Sequence, residues 1–221
     1  MTRSTGMAST SAYKAVIFDF GGVFTTSPVE TFAAFERANR LPERFIGGVI
    51  KSNLHHGAFA RFERAEISFA EFARLFAEET RAAGREISGQ EFLGLLKVGL
   101  KPEMIAAFER IRAADFKTGC ITNNFPEAGE GRARDDVGPI FSQFDHVIES
   151  SKAGVRKPEP RIYEMMCEAL AVEPRDCVFL DDLGVNLKPA RAMGMRTIKV
   201  PVGDVRPAIA ELSDVLGMEL Q

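Results

Sequence analysis

From Pro102 onward, short apolar runs rich in β-branched residues alternate with helical patterns, and no other feature limits the fold of this chain as strongly. TGCIT (118–122), HVIES (146–150), CVFLDD (177–182) and RTIKV (196–200) read as strands. Helical patterns over 102–114 and 159–170, a short helix closing at Gly194 and a final helix separate or follow them. An earlier run at 14–18, stopped by Gly21 and Gly22, reads as one more buried strand. Strands that alternate with helices predict an α/β fold in which a parallel sheet is covered by helices on both faces. Ligands of such sheets bind outside the carboxyl ends of the strands.

Between the first strand and the alternating part, residues 28–97 read as almost entirely helical. Pro28 suits a first helical turn, with Val29, Phe32 and Phe35 at helical spacing. Ser68 with Glu71 and Ser88 with Glu91 fit capping boxes. The first precedes Phe69, Phe72 and Phe76, and the second precedes Phe92, Leu95 and Leu96. Phenylalanines at that spacing read as core packing. Gly47, Gly48 and Gly57 are expected to be joints between short helices.

The 221 residues suffice for one large domain or a core with a smaller companion. Hydrophobic residues make up 45% and charged residues 27%, as in ordinary globular chains, and the net charge of −3 argues against general affinity for nucleic acid or acidic membranes. No apolar run approaches the ~20 residues needed to cross a bilayer. Residues 1–12 are small and polar and read as a loose tail without the apolar stretch of a secretory signal. Cys120, Cys167 and Cys177 form no CxxC pair, and an odd count argues against a disulfide framework. They read as buried thiols of a reducing compartment, and the expected location is the cytoplasm. Oligomeric state, monomer or homodimer, is not encoded in any pattern.

Polar groups cluster at the strand ends. Asp19 follows the first strand, Thr122 ends the second and leads into Asn123 and Asn124, Lys157 follows HVIES, and Asp181 and Asp182 end CVFLDD. A parallel sheet brings all of them to one edge. Their chemistry is coherent: a carboxylate can attack phosphorus and form an aspartyl phosphate, which divides one hard displacement into two. Attack on an anionic group needs nearby positive charge. A Mg²⁺ ion held by Asp19, Asp182 and the Gly21 carbonyl would supply it on one side, and Lys157 on the other. The Thr122 hydroxyl and the Asn123 N–H suit phosphoryl oxygens, and glycines at 21 and 22 let the backbone approach closely.

VIFDFGGVF (16–24), ITNN (121–124), RKPEPRIY (156–163) and FLDDLGVN (179–186) resemble, in order, the four motifs of the haloacid dehalogenase-like hydrolase superfamily. The long helical segment after the first motif matches the position of that superfamily's helical cap. Within it, DFGGVF and FARFERAEIS look most like the phosphatase-like N-terminal domains of soluble epoxide hydrolases. The resemblance covers about residues 14–200. It implies a Rossmann-like core over 13–25 and 98–221 and a mobile helical cap over 26–97. It assigns Asp19 as nucleophile, Thr122 and Lys157 as phosphate binders, Asp182 as metal ligand and Asp181 as a partner behind the metal. The substrate it implies is a small phosphorylated molecule.

One position departs from the pattern. Phosphatases of this superfamily usually carry a second Asp two residues after the nucleophile, as general acid and base; here that residue is Gly21. Such help is typically worth ~10²–10⁴ in rate. Three readings stay open. The substrate carries a good leaving group, such as an anomeric or acyl phosphate; or His55, His56 or Glu63 of the cap supplies the proton; or the chemistry differs, as in a 2-haloacid dehalogenase. A catalytically weak, ligand-binding member is the remaining alternative.

Overall fold

The computed structural model describes residues 11–95, 99–126 and 138–221. Its five strands are β1 (Ala15–Phe18), β2 (Lys117–Thr122), β3 (His146–Glu149), β4 (Cys177–Asp181) and β5 (Arg196–Lys199). They form one parallel sheet in the order β3-β2-β1-β4-β5. The chain crosses from one side of β1 to the other, so the edge above β1 is the topological switch point where such sheets bind ligands. Phe18 lies opposite Cys120 of β2 and Leu180 of β4. That register sets Asp19 level with Ile121 and Asp181, and the Asp19 N–H donates to the Leu180 carbonyl at 2.8 Å.

The central strands β1 and β4 are buried along their whole length because both faces are covered, whereas the edge strands β3 and β5 carry polar residues and are only partly buried. Helices α1 (Pro28–Ala38), α2 (Phe45–Ser52), α3 (Ala58–Glu63), α4 (Phe69–Ala82) and α5 (Gly89–Gly94) precede α6 (Pro102–Ala113). The short α7 (Gly138–Phe141) and α8 (Ser150–Ala153) flank β3, and α9 (Pro160–Leu170), α10 (Gly184–Ala192) and α11 (Arg206–Leu216) complete the chain. Val16, Phe18, Cys120, Val178 and Leu180 pack with Phe108 of α6 and Leu212 of α11. Ala15, Ile17, Ile121 and Phe179 pack with Tyr163 of α9 and Leu187 of α10. The alternation along the central strands β1 and β4 thus divides residues between two buried layers rather than between core and solvent. All three cysteines are buried and free.

Helices α1 to α5 carry their own apolar cluster, centred on Phe32, Ile46, Phe62, Phe72, Phe76 and Phe92. The phenylalanine stripes are core, as their spacing predicts. Phe125, from the loop after β2, enters this cluster and stacks on Phe62 with centroids 5.0 Å apart.

Gly57 is a joint, the N-cap of α3. Gly47 and Gly48 are not: they lie inside α2. Burial of Ile46 in the helical cluster, and of Val49 on the same helix, outweighs the ~1 kcal/mol cost of each interior glycine. The start of α2 has no side-chain cap of its own; the buried Glu36 carboxylate accepts instead from the N–H groups of Arg44 and Ile46. Ser88 and Glu91 close a reciprocal capping box. Ser68 accepts from the Glu71 N–H, while the Glu71 carboxylate faces Arg61. Residues 1–10 of the expected tail, Leu96 and residues 127–136 lie outside the described residues.

Candidate active site

Asp19, Thr122, Lys157, Asp181 and Asp182 do meet at the carboxyl edge of the sheet, and all five are buried. Lys157 Nζ lies 2.7 Å from Asp19 Oδ1 and 2.8 Å from Asp181 Oδ2. Asp19 Oδ1 also accepts from the Phe20 N–H at 2.6 Å. Lys157 is held from behind by Asn123, whose side-chain Oδ1 accepts from the Lys157 N–H at 2.9 Å and whose Nδ2 donates to the Lys157 carbonyl at 3.0 Å. The Asn123 side chain therefore ties the loop after β2 to the lysine.

Asp181 is saturated with donors. It accepts from Lys157, from the Leu183 N–H at 2.8 Å and from Asn186 Nδ2 at 3.1 Å to each oxygen. The Asn186 amide thereby orients Asp181. Asp182 accepts from Ser27 Oγ at 2.6 Å. Gly22 has φ +77°, and a Cβ there would lie 2.2 Å from Asp182 Oδ2, so only glycine lets the backbone pass this carboxylate. Gly21, by contrast, meets nothing within 4 Å of an added Cβ.

One carboxylate oxygen from each of Asp19, Asp181 and Asp182 lies within 4.8 Å of the others. Three buried carboxylates thus face one ammonium. Burial raises the Asp19 carboxyl well above the usual range; Lys157 opposes this, and Asp181 and Asp182 add to it. Burial also raises Asp182, to about 6, against the Ser27 hydrogen bond. Burial disfavours the Lys157 ammonium, but Asp181 and Asp19 more than compensate and hold it charged. Surplus negative charge on hard oxygen donors is the environment a divalent ion such as Mg²⁺ prefers. Asp181, already engaged by three donor groups, fits a supporting place behind such an ion.

The proton donors proposed for the helical segment do not assemble at Asp19. His55 and His56 are exposed and line a cleft of about 620 Å³ with Arg61, Arg64, Glu66 and Glu159. Glu63 is buried and comes nearer, but Arg156 Nε holds its Oε2 at 2.5 Å. Arg156 also donates to the Leu54 carbonyl, and Ser150 Oγ donates to the Glu63 carbonyl at 2.7 Å, so the end of α3 is fastened to the residues around Lys157.

Ser27, Arg156 and the side-chain role of Asn123 escaped the sequence reading. For Ser27 a signal existed: Ser27-Pro28-Val29-Glu30 is a capping box, and both of its bonds form.

A parallel sheet with a lysine and three carboxylates at its switch point defines a class, and the chain belongs to the haloacid dehalogenase-like hydrolase family, which it matches over residues 13–194. It is an enzyme of that fold. Among curated relatives it is 36% identical over 218 residues to acyl-CoA dehydrogenase family member 10 of Mus musculus, covering 95% of this chain and 20% of that protein. It is 32% identical to bifunctional epoxide hydrolase 2 of Sus scrofa, over 95% of this chain and 40% of that one. The chain therefore spans well under half of either relative. Phosphatase MT3486 of Mycobacterium tuberculosis is 28% identical over 84% of this chain and 86% of its own. Among solved structures, a HAD family enzyme of Bacteroides thetaiotaomicron, in complex with magnesium and inorganic phosphate, shares the fold with TM-score 0.55 at 20% identity, over 87% of this chain and 96% of that one.

Proposed function

We propose that the chain is a Mg²⁺-dependent phosphatase of a small phosphorylated molecule, acting through an aspartyl phosphate on Asp19. The observation that carries this reading is the Lys157 ammonium, fixed within 2.8 Å of both Asp19 and Asp181 beside the Asp182 carboxylate. The likeness to a mycobacterial phosphatase supports it. In this reading residues 26–97 are a cap on a core of 13–25 and 98–221.

Asp19 Oδ1 is committed to Lys157 and the Phe20 N–H, so Oδ2 forms the bond to phosphorus. The bond from phosphorus to the leaving oxygen breaks as it forms. Lys157 neutralises charge on the transferring group, and Thr122 Oγ1 with the Asn123 N–H receives its oxygens. Asp19, Asp182 and the Gly21 carbonyl would hold Mg²⁺, which would supply the charge stabilisation that lets two anions approach. Water then attacks phosphorus, the bond from phosphorus to Asp19 Oδ2 breaks, and inorganic phosphate leaves with the Asp19 carboxylate restored. Gly21 can neither protonate the leaving oxygen in the first step nor take a proton from water in the second, so the preferred leaving groups are those that depart as stable anions, such as acyl or anomeric phosphates. A dehalogenase is disfavoured because the Asp181–Asp182 pair would have no metal to serve.

A phosphate-release panel with and without Mg²⁺, with Asp19→Asn as control, tests this. Metal-dependent release that the variant lacks is expected. No release from any substrate, and no complex with a fluoride mimic of phosphate, overturns it, and halide release indifferent to a chelator would favour the dehalogenase reading.

A further inference from the structure

Asp182 is held by a residue outside the sheet and outside the four motifs. Ser27 is fully buried, and its Oγ lies 2.6 Å from Asp182 Oδ2. The hydroxyl has a single proton and gives it to the carboxylate, while its oxygen accepts from the Val29 N–H at 3.3 Å. The Ser27 N–H in turn donates to Glu30 Oε2 at 3.0 Å. Both ends of Ser27 are therefore fixed by the first turn of α1, and its orientation leaves Asp182 little choice of rotamer. The Gly22 backbone blocks the same oxygen from another side, since even a Cβ there would lie 2.2 Å from it. One oxygen of Asp182 is thus boxed between Gly22 and Ser27.

We infer that Ser27 is a positioning residue for the metal site: it orients Asp182 for a divalent cation and joins the root of the helical segment to that site. The inference rests on the proposed metal role of Asp182. Hydrogen-bond partners behind metal ligands typically contribute ~10–100-fold to metal affinity. Ser27 also caps α1, and replacing a cap by alanine costs much more stability than replacing it by glycine. Glycine therefore separates the two roles, because it removes the hydroxyl and keeps most of the cap.

The experiment is Mn²⁺ binding to the full chain, followed by electron paramagnetic resonance, for the parent, Ser27→Ala, Ser27→Gly, Asp182→Asn and the Ser27→Gly/Asp182→Asn double variant. Metal-free unfolding midpoints are measured alongside. Ser27→Ala and Ser27→Gly are expected to weaken Mn²⁺ binding about 10–100-fold. Ser27→Gly is expected to lower the metal-free midpoint less than Ser27→Ala does, and to add no further loss of Mn²⁺ binding in the Asp182→Asn background. Weak binding by Asp182→Asn with parent-like binding by both Ser27 variants overturns the inference and leaves the metal reading standing. Unchanged binding by Asp182→Asn itself overturns the metal reading, and this inference with it.

Discussion

Lys157 Nζ stands 2.7 Å from Asp19 Oδ1 with its side chain 1% exposed, so the ammonium and the carboxylate exist only as a pair. Water is nearly excluded from the lysine, while the Asp19 side chain keeps 10% of its surface exposed. Asp181 completes the arrangement on the far side of the nitrogen at 2.8 Å.

Removing the ammonium therefore exposes the cost of the carboxylates. Lys157→Met is expected to destabilise the metal-free protein by ~3–5 kcal/mol, the usual cost of stripping one partner from a buried ion pair. It should also abolish turnover. Urea unfolding in the presence of a chelator measures the first effect. A change below ~1 kcal/mol would mean that the pair is solvated in the native state.

Gly21 has room. With no atom within 4 Å of an added Cβ and no left-handed φ, Gly21→Asp is expected to fold as the parent does. It should raise phosphate release from simple alkyl phosphates by a factor approaching the ~10²–10⁴ of general acid–base catalysis. Substrates whose leaving group needs no proton should gain far less in the first step. The ratio of the two rates before and after substitution is the measurement, and an unchanged ratio would show that another group already supplies the proton.

Gly22 has none. An alanine there must adopt φ +77° and displace Asp182. Gly22→Ala is expected to cost ~1–2 kcal/mol from the left-handed backbone alone. Its Mn²⁺ affinity should fall by at least as much as in Ser27→Gly. Thermal unfolding and metal titration read the two effects separately.

Protons and metal should compete. Burial first, and the neighbouring Asp181 next, hold Asp182 protonated up to about pH 6 in the metal-free protein, against the opposing Ser27 bond. Its folded pKa is above its unfolded one, so the folded state binds the extra proton, and metal-free stability falls as pH rises from ~4 to 6. Metal binding requires the carboxylate, so Mg²⁺ affinity should fall about tenfold per pH unit below 6 and level off above it. Isothermal titration between pH 5 and 8 checks this; a flat profile would remove Asp182 from the ligand set.

The sheet was legible because its central strands are short, apolar and ended by a polar punctuation, as in AVIF before Asp19 and CVFL before Asp181. Those same ends carry the site, so fold and chemistry were read from one pattern. Other features need coordinates. Glu36 caps α2 from eight and ten residues away, and nothing local in the sequence marks it. Gly47 and Gly48 looked like breaks because propensity is local, whereas the burial of Ile46 and Val49 that overrides it is tertiary. The pairing of Asn123 with the Lys157 backbone spans 34 residues, and Ser27 reaches Asp182 across 155. Both depend on the register of strands and not on any spacing within one segment.

The central claim is that Asp19 forms the covalent bond to phosphorus. It is tested most directly by mixing the protein with Mg²⁺ and acetyl phosphate, quenching in acid within the first turnovers, and mapping phosphoryl adducts by mass spectrometry. A phosphoryl group on the Asp19 peptide, absent from Asp19→Asn and lost on longer incubation before the quench, is the predicted result. Steady release of phosphate with no adduct at Asp19 at any quench time, and comparable turnover by Asp19→Asn, would contradict it.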